Sequence, residues 1–232
     1  MKKIAIMQPY FLPYIGYWQL IHLSDEFVVY DNIQYTKKGW INRNRYLCDG
    51  EDKYFTLQLE KGSDFLDVRE RYLSVSFDKN KLLRQIKEAY FGAAFFEPTY
   101  KLFESIITYK ERNLFEYVYY SIKTILDYLN IKTKITISSH IDIDHSLKSS
   151  KKVLAICDNL KASHYINPVG GVGLYDKEEF RTYGIELSFL RAKATPYKQM
   201  DNPFIPFLSI LDVLMFNGAE KTKMSLELYS LE

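Results

Sequence analysis

Apolar residues along the chain change their spacing several times, and each spacing predicts a different element. Residues 4–6 form a short continuous apolar run, and residues 26–30 form a second run that is rich in β-branched and aromatic side chains. Both runs are typical of strands. Between them, prolines and a glycine prevent regular structure until about Tyr14, after which apolar residues recur at helical spacing. The opening therefore predicts a strand, a shaped loop, a helix and a second strand.

The rest of the chain alternates between the same two patterns. Residues 31–45 are predicted to form a polar, cationic loop, residues 54–59 a third strand and residues 73–77 a short fourth strand. Consecutive helices are then predicted at 79–91, 98–109 and 113–129. Further strands are predicted at 134–138, 164–167 and 185–190, and further helices at 147–160, 176–182 and 207–216. This alternation favours one domain over residues 1–232, a mostly parallel Rossmann-like α/β sheet with residues 79–130 as a helical insertion or subdomain.

Composition and charge narrow the classes of function. Lys and Arg number 31 against 29 Asp and Glu, so the net charge of +2 argues against duplex-DNA binding. The 20 Tyr and 15 Phe fit pockets with apolar walls and polar tips, or equally a compositional bias. Cys48 and Cys157 form no C-x-x-C motif, so neither a zinc knot nor a disulfide scaffold is indicated. Without a signal peptide or a membrane-spanning stretch, we expect a soluble, cytoplasmic protein, and no cofactor is predicted.

Polar residues that follow the first two strands are candidate substrate contacts, because open α/β sheets bind ligands at the carboxyl ends of their strands. Gln8 either faces a ligand or ties down the proline-rich loop. Asp31 either acts as a general base or caps a turn. Aromatic walls and guanidinium forks suit sugars, bases and phosphates. On these grounds the further candidate contacts are Tyr10, Tyr17, Gln34, Trp40, Asn42, Arg43 and Asn44.

Three later features have both a functional and a structural interpretation. The glycine-rich segment that contains Gly170 and Gly171 either cradles a phosphate or forms a tight turn, and Tyr175 lies just beyond it. Asp212 in the last apolar helix either pairs with an arginine of residues 42–45, and so supports the site, or faces solvent. Alternation of His and Asp over residues 140–144 could supply metal ligands, but a polar edge strand explains it as well, so no metal is predicted.

The first forty-odd residues contain three motifs: Gln8-Pro9-x-Phe11-x-Pro13-x-x-Gly16-Tyr17, Tyr30-Asp31-x-x-Gln34 and Trp40-x-Asn42-Arg43-Asn44. Together these motifs resemble the WbqC-like family of bacterial proteins, which are often encoded with O-antigen and other surface-polysaccharide genes. The resemblance implies a transferase that places an acyl or aminoacyl group, such as glycyl, on the amine of a nucleotide-activated amino sugar. It leaves the identity of the donor open, including an aminoacyl-tRNA.

A more distant resemblance suggests an alternative function. Phe11-x-Pro13-x-x-Gly16-Tyr17-x-x-Leu20 is similar to the F-x-P-x-H-x-G-H-x-x-L signature of nucleotidyltransferases and related ligases, which implies a HUP-like variant of the Rossmann-like sheet. Tyr14 or Ile15 stands at the first histidine position and Tyr17 at the second. Tyrosine can donate a hydrogen bond but carries no positive charge near neutrality. A nucleotidyltransferase or ATP-dependent ligase is therefore one alternative, and a non-catalytic nucleotide-sugar binding protein is another.

Overall fold

A computed structural model describes residues 1–63 and 65–232. Its strands are β1 (Lys3–Met7), β2 (Glu26–Val29), β3 (Arg43–Cys48), β4 (Glu51–Thr56), β5 (Lys134–Ile137), β6 (His164–Pro168), β7 (Glu186–Ala192) and β8 (Tyr229–Leu231). Its α-helices are α1 (Ile15–Leu23), α2 (Lys79–Tyr90), α3 (Phe96–Ile107), α4 (Leu114–Tyr128), α5 (Ser149–Asn159), α6 (Lys177–Thr182) and α7 (Ile210–Met224). Of these helices, none is long and apolar enough to cross a lipid bilayer.

The main sheet has the strand order β5-β2-β1-β6-β7-β8. All neighbouring strands in it are parallel except β7 and β8, which are antiparallel. The chain moves outward from β1 through β2 to β5, returns to the other side of β1 at β6, and then continues outward to β7 and β8. The prediction of a mostly parallel, Rossmann-like sheet is confirmed. Its topological switch point, where such sheets bind ligands, lies between β1 and β6.

A separate two-stranded hairpin, β3–β4, corrects the prediction for residues 31–45. Arg43 pairs with Thr56 and Cys48 with Glu51 in an antiparallel ladder. The sequence analysis did not predict β3, because the buried Asn44 interrupts the apolar pattern of this strand. The strand predicted at 73–77 is wrong, since only an isolated bridge joins Leu59 to Leu73.

One hydrophobic cluster joins the sheet to the helices. Residues 16–21 of α1 are all buried. Ile86 of α2, Phe103 of α3 and Ile122 of α4 belong to the same cluster as Phe27 of β2. The consecutive helices predicted from sequence therefore occur as α2, α3 and α4, and they contribute to the same core as the sheet.

A buried carboxylate connects α7 to the hairpin. Asp212 is fully buried and accepts hydrogen bonds from the Tyr90 hydroxyl at 2.9 Å, the Gln199 amide at 2.7 Å and the Tyr197 hydroxyl at 2.5 Å. Tyr90 in turn accepts a hydrogen bond from the Leu47 backbone N–H at 3.0 Å. Burial raises the pKa of Asp212 even though these donors act to lower it. The predicted pairing of Asp212 with an arginine of residues 42–45 is wrong, because two phenols and an amide satisfy the carboxylate instead.

A second buried carboxylate, Glu26, stabilises the start of β2. It forms ion pairs with Lys2 and Lys134, each at 2.9 Å, and accepts a hydrogen bond from the Thr136 hydroxyl at 2.5 Å. Burial acts to raise the pKa of Glu26, but the hydrogen bonds from Lys2, Thr136 and Lys134 outweigh it and lower the pKa from 4.5 to about 2. Because the folded pKa lies below the ordinary value, the ionised form of Glu26 stabilises the fold above about pH 4.5, and this stabilisation is lost as the pH falls towards 2.

We therefore expect Glu26→Gln to lower the free energy of unfolding at pH 7 by up to about 3 kcal/mol. Part of the wild-type loss of stability between about pH 4.5 and 2 should disappear in the variant. Urea unfolding measured across this range tests both statements. Glu178→Gln, which removes an exposed ion pair with Arg181, is the matched control and should change stability by less than about 0.5 kcal/mol. Identical pH dependence of wild type and Glu26→Gln would contradict the assignment.

Candidate functional site

The loop between β1 and α1 forms the floor of the site, and α1 holds it from below. The Tyr17 hydroxyl donates a hydrogen bond to the Gln8 carbonyl at 3.0 Å, and the Trp18 indole N–H donates to the Pro13 carbonyl at 3.0 Å. Both aromatic side chains are buried. Tyr17, which the sequence predicts to contact substrate, is not in the lining of the two cavities described below, and its hydroxyl is directed at the loop backbone.

Two polar residues from other elements donate hydrogen bonds to the same loop. The Asn44 amide donates to the Leu12 carbonyl at 2.9 Å and to the Phe11 carbonyl at 3.2 Å. The Ser209 hydroxyl donates to the Leu12 carbonyl at 2.7 Å. Asn44 and Ser209 are buried, so both side chains satisfy backbone groups that water cannot reach. Asn44 therefore has a structural function beside the site, whatever further contact it makes.

A cavity of about 460 Å³ lies above this loop, at the carboxyl ends of β1 and β6. Its walls come from the ends of these strands, the loop, residue 30 after β2, Trp40 and the glycine-rich turn after β6. The polar side chains that line it are Gln8, Tyr10, Tyr14, Tyr30, Asn167 and Tyr175. We call this cavity the neutral chamber, because none of the described residues lining it carries a formal charge. Its amides and phenols offer hydrogen bonds between aromatic walls.

A second cavity of about 310 Å³ shares part of this lining. Tyr10, Tyr14 and Trp40 border both cavities. The second cavity also contains Arg45 of β3 and Arg191 of β7, and we call it the arginine chamber. The two chambers together form one cleft at the topological switch point, with an uncharged half and a cationic half.

Gln8 and the tyrosines are placed to meet a ligand in the neutral chamber. Gln8 is half-buried and lines the chamber, and its side chain forms no hydrogen bond with any described residue. Burial raises the pKa of Tyr10, Tyr30 and Tyr175, so their phenols stay protonated near neutral pH and can donate hydrogen bonds. These side chains suit the recognition of hydroxyl and amide groups on an uncharged ligand.

The glycine-rich turn closes one side of the neutral chamber. Residues 169–174 form a 3-10 turn directly after β6, and Gly170 and Gly171 both line the chamber as the sequence places them. A Cβ atom on Gly171 would lie 1.9 Å from the Asn167 amide nitrogen, whereas a Cβ on Gly170 would meet no atom within 4 Å. Glycine is thus needed at 171 so that the turn can approach Asn167 closely.

Asp31 lies at the same edge of the sheet but outside both chambers. Its carboxylate accepts hydrogen bonds from the Ser138 hydroxyl at 2.8 Å and the Ser139 backbone N–H at 2.9 Å, and Arg69 approaches to 3.8 Å. Burial acts to raise the pKa of Asp31, but the hydrogen bonds from the two serines outweigh it and lower the pKa. The carboxylate therefore has hydrogen-bond partners directly after β5, and the role of Asp31 as a general base stays a prediction.

Other predicted contacts lie at the margin of the cleft. Arg43 donates to the carbonyls of Gly39 and Lys38, and its guanidinium lies 4.7 Å from the Tyr54 ring centroid, so it does not line either chamber. Asn42 is buried and accepts a hydrogen bond from the Tyr35 hydroxyl at 2.9 Å. Gln34 is exposed and forms an isolated antiparallel bridge with Asp67. Asn42 and Gln34 likewise do not line either chamber, and contact of these three residues with substrate stays a prediction.

Sequence reasoning missed Asn167 and Arg191 as lining residues. A signal for both was present, because each occurs at or directly after the end of a predicted strand. The residues 140–144 considered for metal form no strand, since Ser138–His140 is a 3-10 turn and bends follow it. Within the described ranges, no cluster of three or more His, Cys, Asp or Glu side chains could hold a metal ion.

We expect Gly171→Ala to lower the free energy of unfolding by about 1–3 kcal/mol, because the added methyl group overlaps Asn167. Gly170→Ala adds the same methyl group one residue earlier into open space and should change stability by less than about 0.5 kcal/mol. Urea unfolding of the two variants measures the difference. Equal effects at both positions would show that Gly171 and Asn167 do not pack as described.

The sequence model of the WbqC-like protein family matches residues 8–224. The chain is also similar to the protein described as "Uncharacterized protein Rv1507c" of Mycobacterium tuberculosis, with 29% identity over 223 residues that cover 95% of this chain and 96% of the relative. No solved structure matches the chain. The family match covers well over half of the chain, so the chain belongs to the WbqC-like protein family.

Proposed function

We propose that the protein is a cytoplasmic transferase of surface-polysaccharide (O-antigen) biosynthesis that places an acyl or aminoacyl group on the amine of a nucleotide-activated amino sugar. The observation that carries the proposal is the division of the cleft into the neutral chamber and the arginine chamber. A nucleotide-activated amino sugar has a comparable division, because its phosphate groups are anionic and its sugar ring carries no anionic group. Membership of the WbqC-like family supports the same class of substrate.

The neutral chamber suits an amino sugar. Sugars bind through hydroxyl and amide hydrogen bonds between aromatic walls, and such sites need few but well-placed polar groups. Gln8 and Asn167 supply amide groups from the ends of β1 and β6, and Tyr10 and Tyr175 supply hydroxyls. The lining lacks a formal charge, which favours an uncharged ring over a free phosphate in this half of the cleft.

In the proposed reaction the protein acts by positioning its substrates. The neutral amine of the sugar attacks the carbonyl carbon of an activated ester, a C–N bond forms, the C–O bond of the ester breaks, and the proton passes from nitrogen to the leaving oxygen. The Gln8 amide and the backbone N–H groups of the glycine-rich turn are candidate donors to the developing oxyanion. The largest contribution of this lining to the reaction rate is the alignment of the amine with the ester.

A non-catalytic nucleotide-sugar binding protein is the second candidate function. It is favoured by the chamber itself, because no described residue that lines the neutral chamber is a carboxylate, an imidazole or an amine. The nucleotidyltransferase alternative has weaker support, since the buried Tyr17 at the second histidine position donates its hydroxyl to the Gln8 carbonyl. Detection of an acylated sugar separates the first two functions.

The test is thermal unfolding with a panel of nucleotide-activated amino sugars and with ATP and magnesium. A ligand at about a hundred times its dissociation constant adds roughly 2.7 kcal/mol of stability, which gives a readable shift in Tm. Gln8→Leu should weaken amino-sugar nucleotide binding about 10-fold, because it removes hydrogen bonds in the neutral chamber. Gln58→Leu, at an exposed residue outside the cleft, is the matched control and should bind as wild type does.

Stabilising sugars are then incubated with acyl and aminoacyl ester donors, and the product is sought by mass spectrometry. An acylated amino sugar confirms the transferase, and binding without product from any donor favours the non-catalytic protein. Stabilisation by ATP and magnesium alone, with no response to any amino-sugar nucleotide, would contradict both in favour of nucleotidyl transfer.

A further inference from the structure

We propose that the arginine chamber is a nucleoside diphosphate subsite, in which Arg45 and Arg191 clamp the phosphate groups and Trp40 stacks on the base. The sugar then projects into the neutral chamber. This inference rests on the proposed function for the identity of the sugar, but the phosphate subsite itself is argued from the charges and contacts of the arginine chamber.

Charge in the cleft is confined to one place. Arg45 and Arg191 are the only charged side chains among the described residues that line either chamber. Asp52 and Glu232, which pair with these arginines, do not belong to the lining. An anion that enters the cleft therefore meets two guanidinium groups and no carboxylate in the walls of the arginine chamber.

Arg45 is anchored so that its guanidinium needs little further ordering. One terminal nitrogen donates to the Asp52 carboxylate at 3.1 Å, and the other donates to the Phe207 carbonyl at 3.2 Å. Its Nε is buried and has no hydrogen-bond partner among the described residues. A guanidinium has five N–H donors, so these two contacts leave donors for an anion. Fixing the fork before binding reduces the entropy lost when a phosphate is bound.

Arg191 approaches the chamber from the other side, on β7 of the main sheet. Its Nε and one terminal nitrogen donate to the Glu232 carboxylate, and the side chain is more than half exposed. The second terminal nitrogen is not used in this pair. Because Arg45 lies on the hairpin and Arg191 on the main sheet, their two guanidinium groups can donate hydrogen bonds to an anion from two directions.

Trp40 supplies the aromatic wall that a base requires. Its ring is stacked with Tyr54 at a centroid distance of 6.2 Å and an interplanar angle of 20°, and the Arg45 guanidinium lies 6.0 Å from its centroid. Even so, 37% of Trp40 is exposed, and it borders both chambers. A supported but partly exposed aromatic ring beside arginines is a common surface for stacking bases. The base and the phosphates therefore fit the arginine chamber, and the uncharged sugar fits the neutral chamber.

The test is isothermal titration calorimetry of the full chain with inorganic pyrophosphate and with UDP, GDP and dTDP. We expect pyrophosphate and at least one nucleoside diphosphate to bind, with Arg191→Ala weakening both on the order of 10- to 100-fold. Arg181→Ala removes another exposed, glutamate-paired arginine that does not line the cleft, and it should leave the affinities unchanged. Arg45→Lys keeps the charge but loses the fork, and it should also weaken binding; the backbone hydrogen bond from the Ser209 N–H to the carbonyl of residue 45 does not depend on the side chain.

Two results would overturn the subsite: no binding of any of these anions to the wild type, or wild-type affinities in both Arg191→Ala and Arg45→Lys. Gln8→Leu separates this inference from the proposed function, because it should weaken amino-sugar nucleotides and leave nucleoside diphosphates unaffected. If amino-sugar nucleotides bind but neither arginine matters, the subsite fails and the proposed function stands. If the arginines matter but no amino-sugar nucleotide binds more tightly than its diphosphate, the subsite stands and the proposed function fails.

Discussion

The hydrogen-bond requirement of one buried loop determines much of this structure. The loop between β1 and α1 is irregular because of its prolines, yet Leu12 at its centre is 1% exposed and has a φ of 44°. A buried carbonyl without a partner costs about 1–3 kcal/mol. Trp18, Asn44 and Ser209 each donate to a carbonyl of this loop, and they come from α1, from β3 and from the residue that caps α7. The loop thus forces three separate elements to meet beneath the cleft.

The same contacts fix the walls of the cleft. Phe11 in the loop donates its backbone N–H to the Trp40 carbonyl at 3.2 Å, so the loop and the aromatic wall are held together. Ser209 donates its own N–H to the Arg45 carbonyl at 2.9 Å, and the Asp212 network begins three residues further along α7. Through Tyr90, that network also holds the Leu47 backbone of β3. The two chambers therefore lie on a frame in which a shift of the hairpin would break hydrogen bonds in the loop and at Asp212.

The sequence predicts the parallel sheet well, because apolar runs and helical spacing are local properties. It does not predict side-chain partners, which depend on strand order and on distant residues. Asp31 was expected to face a ligand, but the position of β5 beside β2 directs it to Ser138 and Ser139. Asn44 was expected to contact substrate; it lines the arginine chamber, but its buried amide also donates to the loop, a contact that the sequence did not predict. By contrast, the apolar pattern alone placed Gln8 at the carboxyl end of the first strand, and it lines the neutral chamber.

Trp40 is well placed to report on ligand binding, because it borders both chambers of the cleft. The chain contains two tryptophans, and the other, Trp18, is fully buried under the loop. Tryptophan fluorescence of the wild type and of Trp40→Phe, titrated with a panel of nucleotide-activated amino sugars, therefore reports on this site directly. We expect a saturable change in the fluorescence of the wild type. This change should be lost in Trp40→Phe, whose remaining fluorescence comes from Trp18. The same saturable change in both proteins, or none in the wild type, would contradict ligand binding in the cleft.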